Sequence, residues 1–164
     1  MEFDVTTSVN PDDLEKVVSV AKSFGGNDED IKAIRAYIKN ELTELGDNRI
    51  LFLMNLQEHG TVGSVQLILK NANSDKDLAN SNDVAHIHAL QINKAFHRMG
   101  LATKLMNKLE LKAKEMGIRK LTLGVDGDNR KAISLYDKLG YFNLKVAEGR
   151  EKDIPLFYKY KKIS

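Results

Sequence analysis

The chain has 164 residues, 42% hydrophobic and 29% charged, with two prolines and no cysteine; the length suits one domain covering residues 1–164, and the composition excludes a disordered or collagen-like chain. Without cysteine there is no disulfide, no thiolate nucleophile and no Cys-ligated zinc or iron–sulfur cluster, so chemistry falls to histidine, tyrosine, carboxylates or backbone. The formal charge of +2 divides unevenly: residues 1–48 hold eleven acids and five bases, residues 49–164 twelve acids and twenty bases, which predicts a polyanionic ligand on the later part and a cationic one near the first, although scattered solvated lysines account for the charge as well.

Glu2, Asp4, Asp12, Asp13 and Glu15 stand where a secretory signal has lysines and a long apolar stretch, and the longest apolar run, Ile50 to Met54, is too short to cross a bilayer. A cytoplasmic protein without a membrane partner is expected. Asn10-Pro11 reads as an N-cap and first helical position, and Leu14, Val17, Val18, Ala21 and Phe24 then recur at helical spacing until Gly25-Gly26. Ile31, Ile34, Ile38, Leu42 and Leu45 mark a second helix, with Asp28 or Asp30 to cap it and Gly46 past its end. Residues 49–56 and 61–70 read as a hairpin of two strands, residues 71–83 as a mobile surface loop, and residues 84–92 as another strand. Ala102, Leu105, Met106, Leu109, Ala113 and Met116 form the stripe of a third helix, followed by a strand over 120–125 that completes a βαβ unit. A fourth helix opens near Asn129 and buries Ala132, Leu135 and Leu139 up to Gly140, and strands over 141–146 and 156–161 close the chain.

Neither a Walker A sequence nor a GxGxxG fingerprint is present. Instead His97-Arg98-Met99-Gly100-Leu101-Ala102 lies between a strand and a helix, where backbone N–H groups converge at a helix N-terminus. Gly100 allows close approach, and Arg98, Lys104 and Lys108 add positive charge. By itself, this segment reads sooner as a tight strand-to-helix turn, with its glycine there for steric reasons.

The second block, Asn129 to Tyr141, changes the balance. Together with the first it resembles the GNAT superfamily of acetyl-coenzyme A-dependent N-acetyltransferases. In that family a Gln/Arg-x-x-Gly-x-Gly/Ala loop holds the cofactor pyrophosphate, and a later Asn-x-x-Ala-x-x-Leu-Tyr-x-x-x-Gly-Phe/Tyr helix lines the other side. Asn129, Ala132, Leu135, Tyr136, Gly140 and Tyr141 match the second motif at the family's spacing. His97 departs from the usual Gln/Arg but leaves the backbone cradle intact, and the resemblance implies cofactor contacts at His97, Arg98, Met99, Gly100, Leu101, Ala102 and Thr103. The resemblance implies an α/β fold: a mixed, mostly antiparallel sheet of about six or seven strands, its central strands splayed, flanked by about four helices. It also implies acetyl-CoA as co-substrate, its pantetheine entering the splay against the backbone of Leu90, Gln91 and Ile92, with Asn129, Ala132 and Tyr136 as further cofactor contacts.

Thioester aminolysis needs a neutral amine and a protonated leaving sulfur. Tyr136 is the family's usual proton donor. His86 and His88, two apart on a strand, fall on one face with Leu90 and Ile92, and Ala85 to Leu90 resembles the corresponding strand of arylalkylamine N-acetyltransferases, where paired histidines relay the amine proton through water. A pair of satisfied sheet histidines explains them equally well, and no further ligand lies near for a zinc site, so no metal is expected. Asp126-Gly127-Asp128-Asn129 reads as a turn that caps the fourth helix rather than a calcium loop. The expected reaction is direct acetyl transfer in a ternary complex to a primary amine of a small molecule or peptide. A non-catalytic acyl-CoA-binding or regulatory module is the contrasting class. No nucleic-acid partner is expected, since the basic third helix interleaves Glu110 and Glu115 among its lysines; a homodimer is compatible with the reading. Asp28, Glu29, Asp30, Glu41 and Glu44 predict an acidic funnel for an ammonium acceptor.

Overall fold

Two asparagines start the helical part of the chain. In the computed structural model, which describes residues 2–164, the Asn10 side chain accepts the Asp12 N–H at 3.0 Å and opens a single 3₁₀ turn, Pro11–Asp13, that leads into α1 (Leu14–Lys22). Asn27 accepts the Asp30 N–H at 2.9 Å while the Asp30 carboxylate accepts the Asn27 N–H at 3.0 Å, a capping box at the start of α2 (Asp28–Leu42). The cap is therefore Asn27, and Asp30 is its reciprocal partner. Phe24, expected on the α1 stripe, lies beyond the helix end and is 49% exposed, because the chain has already turned toward Gly25 and Gly26, both at positive φ.

The apolar faces of both helices close on β2 (Arg49–Leu56): Val17, Val18 and Ala21 meet Ile38, Leu42, Leu51 and Leu53 in one buried cluster. Complete burial stabilises each of the larger side chains by about 1.5–3 kcal/mol. A strand that the sequence reading missed, β1 (Phe3–Ser8), pairs antiparallel with β2 from Phe3 opposite Leu56 to Ser8 opposite Leu51. Its Val5-Thr6-Thr7 run is β-branched, but Asp4 interrupts it and it buries little, so its pairing depends on the β2 edge more than on its own pattern.

Next come β3 (Gly60–Ile68), β4 (Val84–Ile92), α3 (Leu101–Glu115), β5 (Lys120–Asp126), α4 (Arg130–Lys138), β6 (Phe142–Ala147) and β7 (Leu156–Lys162). The seven-stranded sheet has the order β1-β2-β3-β4-β5-β7-β6; β4 and β5 run parallel, whereas β1–β2, β5–β7 and β6–β7 are antiparallel. The chain forms two compact units, one of residues up to Leu67 with Ala89–Leu109, the other of Ile68–His88 with Glu110–Ser164. β4 and α3 each contribute to both. In the first, Gly63 packs closely: a Cβ there would stand 2.7 Å from the Ile92 Cδ1, so the Ile92 side chain would have to move to admit one.

In the second unit the parallel ladder runs from Val84 opposite Lys120 to Ile87 opposite Leu123. Ala89, two residues later, has φ +56°, a bulge-like left-handed residue that breaks the alternation expected to keep His86, His88, Leu90 and Ile92 on one face. The 71–83 loop, expected to be mobile, is packed. Leu78 is fully buried beside Ala72, Ala79 and Tyr158, the Asn80 side chain accepts the N–H groups of Asn82, Asp83 and Val84, and Lys145 donates to Asp75 at 2.6 Å and to Asp77 at 3.1 Å. Leu78, Ala72 and Ala79 together give this polar run an apolar anchor. Leu78→Ala should lower the unfolding free energy by about 2–4 kcal/mol in urea titration; a change below about 0.5 kcal/mol, the scale of a surface substitution, would show that the loop contributes no core.

Candidate functional site

In the first unit, β4 ends at Ile92 and the chain must turn before α3 can begin. Asn93 donates its N–H to the Val62 carbonyl at 2.7 Å, and its side chain accepts the Ala95 N–H at 2.9 Å, which starts a 3₁₀ turn over Lys94–Phe96. The Lys94 N–H donates to Ser23 Oγ at 3.0 Å, and the Phe96 ring lies edge-on to His59 at 5.1 Å. His97 Nε2–H donates to the Ile92 carbonyl at 2.7 Å, while the His97 ring stands 5.7 Å from Phe24. These contacts from α1, the β2–β3 turn and β3 fix where the next residues start.

Arg98 and Gly100 then take φ of +66° and +74°, and α3 opens at Leu101. Left-handed residues leading into a right-handed helix turn successive N–H groups toward one point, an anion-binding nest, and the first helical N–H groups, here those of Leu101, Ala102 and Thr103, have no intrahelical acceptor. Lys104 is the first to reach back, to the Gly100 carbonyl at 3.2 Å. Apart from its chain neighbours, no protein atom lies within 4 Å of the place a Gly100 Cβ would take, so its positive φ favours glycine and the approach is left open. Lys104 Nζ sits 4.0 Å over the Phe3 ring, which places this lysine, expected to supply charge to the loop, on an aromatic face. Met99 is 44% exposed, and Arg98 is exposed as well. The donor set suits a pyrophosphate. Of the three residues expected to receive pantetheine, Leu90 and Gln91 follow the left-handed Ala89, and Ile92 has its carbonyl engaged by His97.

The expected acidic funnel is largely spent on internal bonds. Asp30 closes the capping box, Glu44 accepts from Asn48 and Arg49, and Glu41 accepts from Gln66 and lies 3.6 Å from Arg49. Asp28 and Glu29 stay exposed. The recess of about 510 Å³ at the α1–α2 junction is lined by Lys22, Gly26, Asp28, Ile31 and Arg35, a mixed rather than acidic wall.

In the second unit, His86 is buried and its Nδ1 lies 2.8 Å from Thr122 Oγ1, which itself donates to the Leu78 carbonyl at 2.8 Å. With the single hydroxyl proton committed to Leu78, Thr122 must accept from His86, so Nδ1 carries the proton and any base role falls to Nε2. His88 is half-buried. Asn129 caps α4, its side chain accepting the Ala132 N–H at 3.2 Å. The turn before it needs Gly127, where a Cβ would stand 2.8 Å from the Pro155 ring.

On α4 the buried residue is Tyr136, at 8% exposure, whereas Ala132, Leu135 and Leu139, expected to be buried, are half-exposed. Burial pushes the Tyr136 hydroxyl from 10.0 to about 12, so it holds its proton throughout the neutral range. Tyr141 lies edge-on to it, 6.1 Å between centroids, and donates its N–H to the Tyr136 carbonyl at 3.0 Å. The Tyr141 hydroxyl donates to Glu110 at 3.0 Å, and Lys161 donates to the same carboxylate at 2.8 and 3.1 Å. Burial, then the Glu110 charge, raises Tyr141 further. The sequence reading missed this support; its one local signal was the aromatic that ends the second motif. Among the described residues, no group of three or more His, Asp or Glu side chains could hold a metal ion, and no helix is long and apolar enough to cross a membrane.

The family model "Acetyltransferase (GNAT) family" matches residues 14–141. The chain belongs to the GNAT family. A stretch of 64 residues is 44% identical to the thialysine N-epsilon-acetyltransferase of Caenorhabditis elegans, covering 39% of this chain and 40% of that protein. The matches to curated relatives thus span well under half of their length. A structure assigned to the GNAT family from Desulfovibrio desulfuricans superposes with a TM-score of 0.79 at 12% identity, covering 99% of this chain and 100% of that one. The PaiA N-acetyltransferase of Thermoplasma acidophilum, solved in complex with coenzyme A, gives 0.69 at 18% identity, covering 99% of each chain. The sheet order and helices are those of the GNAT fold.

The buried Tyr136 makes a test at alkaline pH. The unfolded chain releases this proton near pH 10, while the native chain holds it to about pH 12, so stability is unaffected below the first value and falls between the two. The urea midpoint of the parent should drop above about pH 10, and Tyr136→Phe should blunt that drop. Equal slopes for the two proteins would place Tyr136 in contact with solvent.

Proposed function

We propose that residues 1–164 act as one GNAT-type domain in the cytoplasm, transferring the acetyl group of acetyl-CoA directly to a primary amine of a small molecule or peptide in a ternary complex. The observation that carries this reading is the nest at Arg98–Gly100 leading into the first turn of α3. Those N–H groups, with the helix dipole behind them, bind the pyrophosphate. The thioester supplies the activated acyl group. Leu90 and Gln91, beyond the left-handed Ala89, offer backbone polar groups to the pantetheine, and Asn129 and Ala132 are further cofactor contacts. Ile92 contributes through its N–H, its carbonyl being engaged. Tyr136, protonated at neutral pH, donates its hydroxyl proton to the leaving sulfur. His88, and His86 through Nε2, take the proton of the incoming ammonium. No cysteine is available for an acyl-enzyme.

Gly100→Asp places a carboxylate in the nest. Coenzyme A affinity measured by calorimetry should fall at least about tenfold while the fold survives; unchanged affinity in a folded variant would rule the loop out as the pyrophosphate site.

Tyr136→Phe keeps the ring and deletes the donor, so turnover in a thiol-release assay should drop roughly 10²- to 10⁴-fold with coenzyme A binding retained. Turnover within about twofold of the parent would leave Tyr136 a packing residue. The acceptor panel begins with lysine-like amino acids, because a relative is named for thialysine, and continues through polyamines, arylalkylamines, aminoglycosides and peptide N-termini. A non-catalytic acyl-CoA-binding module would bind coenzyme A and release no thiol with any of them.

A further inference from the structure

His97 is held at both ends. Its backbone N–H donates to the Lys94 carbonyl at 3.3 Å, and its Nε2–H donates to the Ile92 carbonyl at 2.7 Å, so main chain and side chain both reach back across the same 3₁₀ turn. The ring is further limited by Phe24 at 5.7 Å, and Ser23, the residue before Phe24, receives the Lys94 N–H. The next residue, Arg98, has φ +66°, a conformation that a non-glycine residue keeps only when its surroundings over-determine it. His97 is the last fixed point before that turn.

We propose that His97 is the positioning residue of the phosphate-binding nest: its Nε2–H bond to Ile92 sets the direction in which Arg98–Gly100 enter the left-handed turn, and its side chain makes no phosphate contact. The inference rests on the reading of this loop as the pyrophosphate site. Both nitrogen-bearing ends of the turn are then accounted for. The side chain is turned back to the strand it follows, and the N–H groups of the residues after it are left to point at the ligand. The bond also explains how an imidazole serves here. What the turn needs is an N–H donor at the reach of Nε2, which the amide nitrogen of glutamine provides and that of asparagine, matching Nδ1, does not.

The test compares His97→Ala, His97→Asn and His97→Gln with the parent, using coenzyme A binding by calorimetry and thermal midpoints for the fold. Loss of the bond in the Ala and Asn variants should raise the coenzyme A Kd about three- to tenfold, the scale of one hydrogen bond. The Gln variant should return the Kd to within about twofold of the parent, and a purely structural role for the ring would not produce that rescue. Should the Ala variant fail to fold, the Asn and Gln pair still decides. An Ala or Asn variant with the parent's Kd, or a Gln variant as weak as Asn, overturns the positioning role. Gly100→Asp separates the two claims. If it weakens coenzyme A and the His97 variants do not, only the positioning inference fails; if it leaves affinity unchanged, the loop assignment itself fails.

Discussion

An α-helix begins with N–H groups that have no acceptor inside it, and in α3 those groups are preceded by two residues at positive φ, Arg98 and Gly100. Converging donors of this kind repel cations and attract anions whatever side chains surround them, because the partial charges lie on the backbone and are fixed in direction. The rest of the first unit serves that presentation. Asn93, Lys94, Phe96 and His97 are each tied to a different neighbour, Val62, Ser23, His59 and Ile92. Reading the bonds outward from α3 leads back to the α1–α2 junction and the β2–β3 hairpin, so the apolar cluster of α1, α2 and β2 is what holds those anchors still.

Polar groups deep in each unit are arranged in connected sets. In the first, Arg49 meets Gln66, Glu44 and Glu41, although its buried Nε has no partner. In the second, Lys159 is 4% exposed and donates to Asp137 and Asn143, and Glu110 collects Tyr141 and Lys161. A buried charge without a partner costs several kcal/mol, so each set is a condition for the neighbouring residues to stay buried. Tyr136 benefits from this: Tyr141, fixed by Glu110, forms one wall against its ring. The Thr122 bridge does the same for His86, and it also anchors the 71–83 loop through the Leu78 carbonyl.

Local physics made much of this legible in the sequence. Gly100 needs no context beyond its own φ, Asn10 and Asn129 cap the turns they precede, and the apolar rows of α1 and α2 follow a 3.6-residue period whatever they pack on. Family resemblance then supplied the sheet and the expected cofactor, since the two motifs, at His97–Ala102 and Asn129–Tyr141, span a helix start and a whole helix, where spacing is rigid. Less was available for β1 and for Leu78. Each has a short, mixed pattern, and its state is decided by a partner distant in sequence: the β2 edge for one, and Tyr158 for the other.

The sequence by itself determined the order of helices and the glycine turn ahead of α3, because caps, glycines and apolar periods act over a few residues, and its two motifs carried the family resemblance. Only the tertiary structure decided which nitrogen of His86 carries the proton, that Ala89 interrupts β4, that Lys104 lies on Phe3 and that His97 turns back to Ile92. Each of those outcomes depends on which acceptor, ring or strand stands within hydrogen-bonding or van der Waals reach. Spacing along the chain does not encode that distance until the core has closed around it.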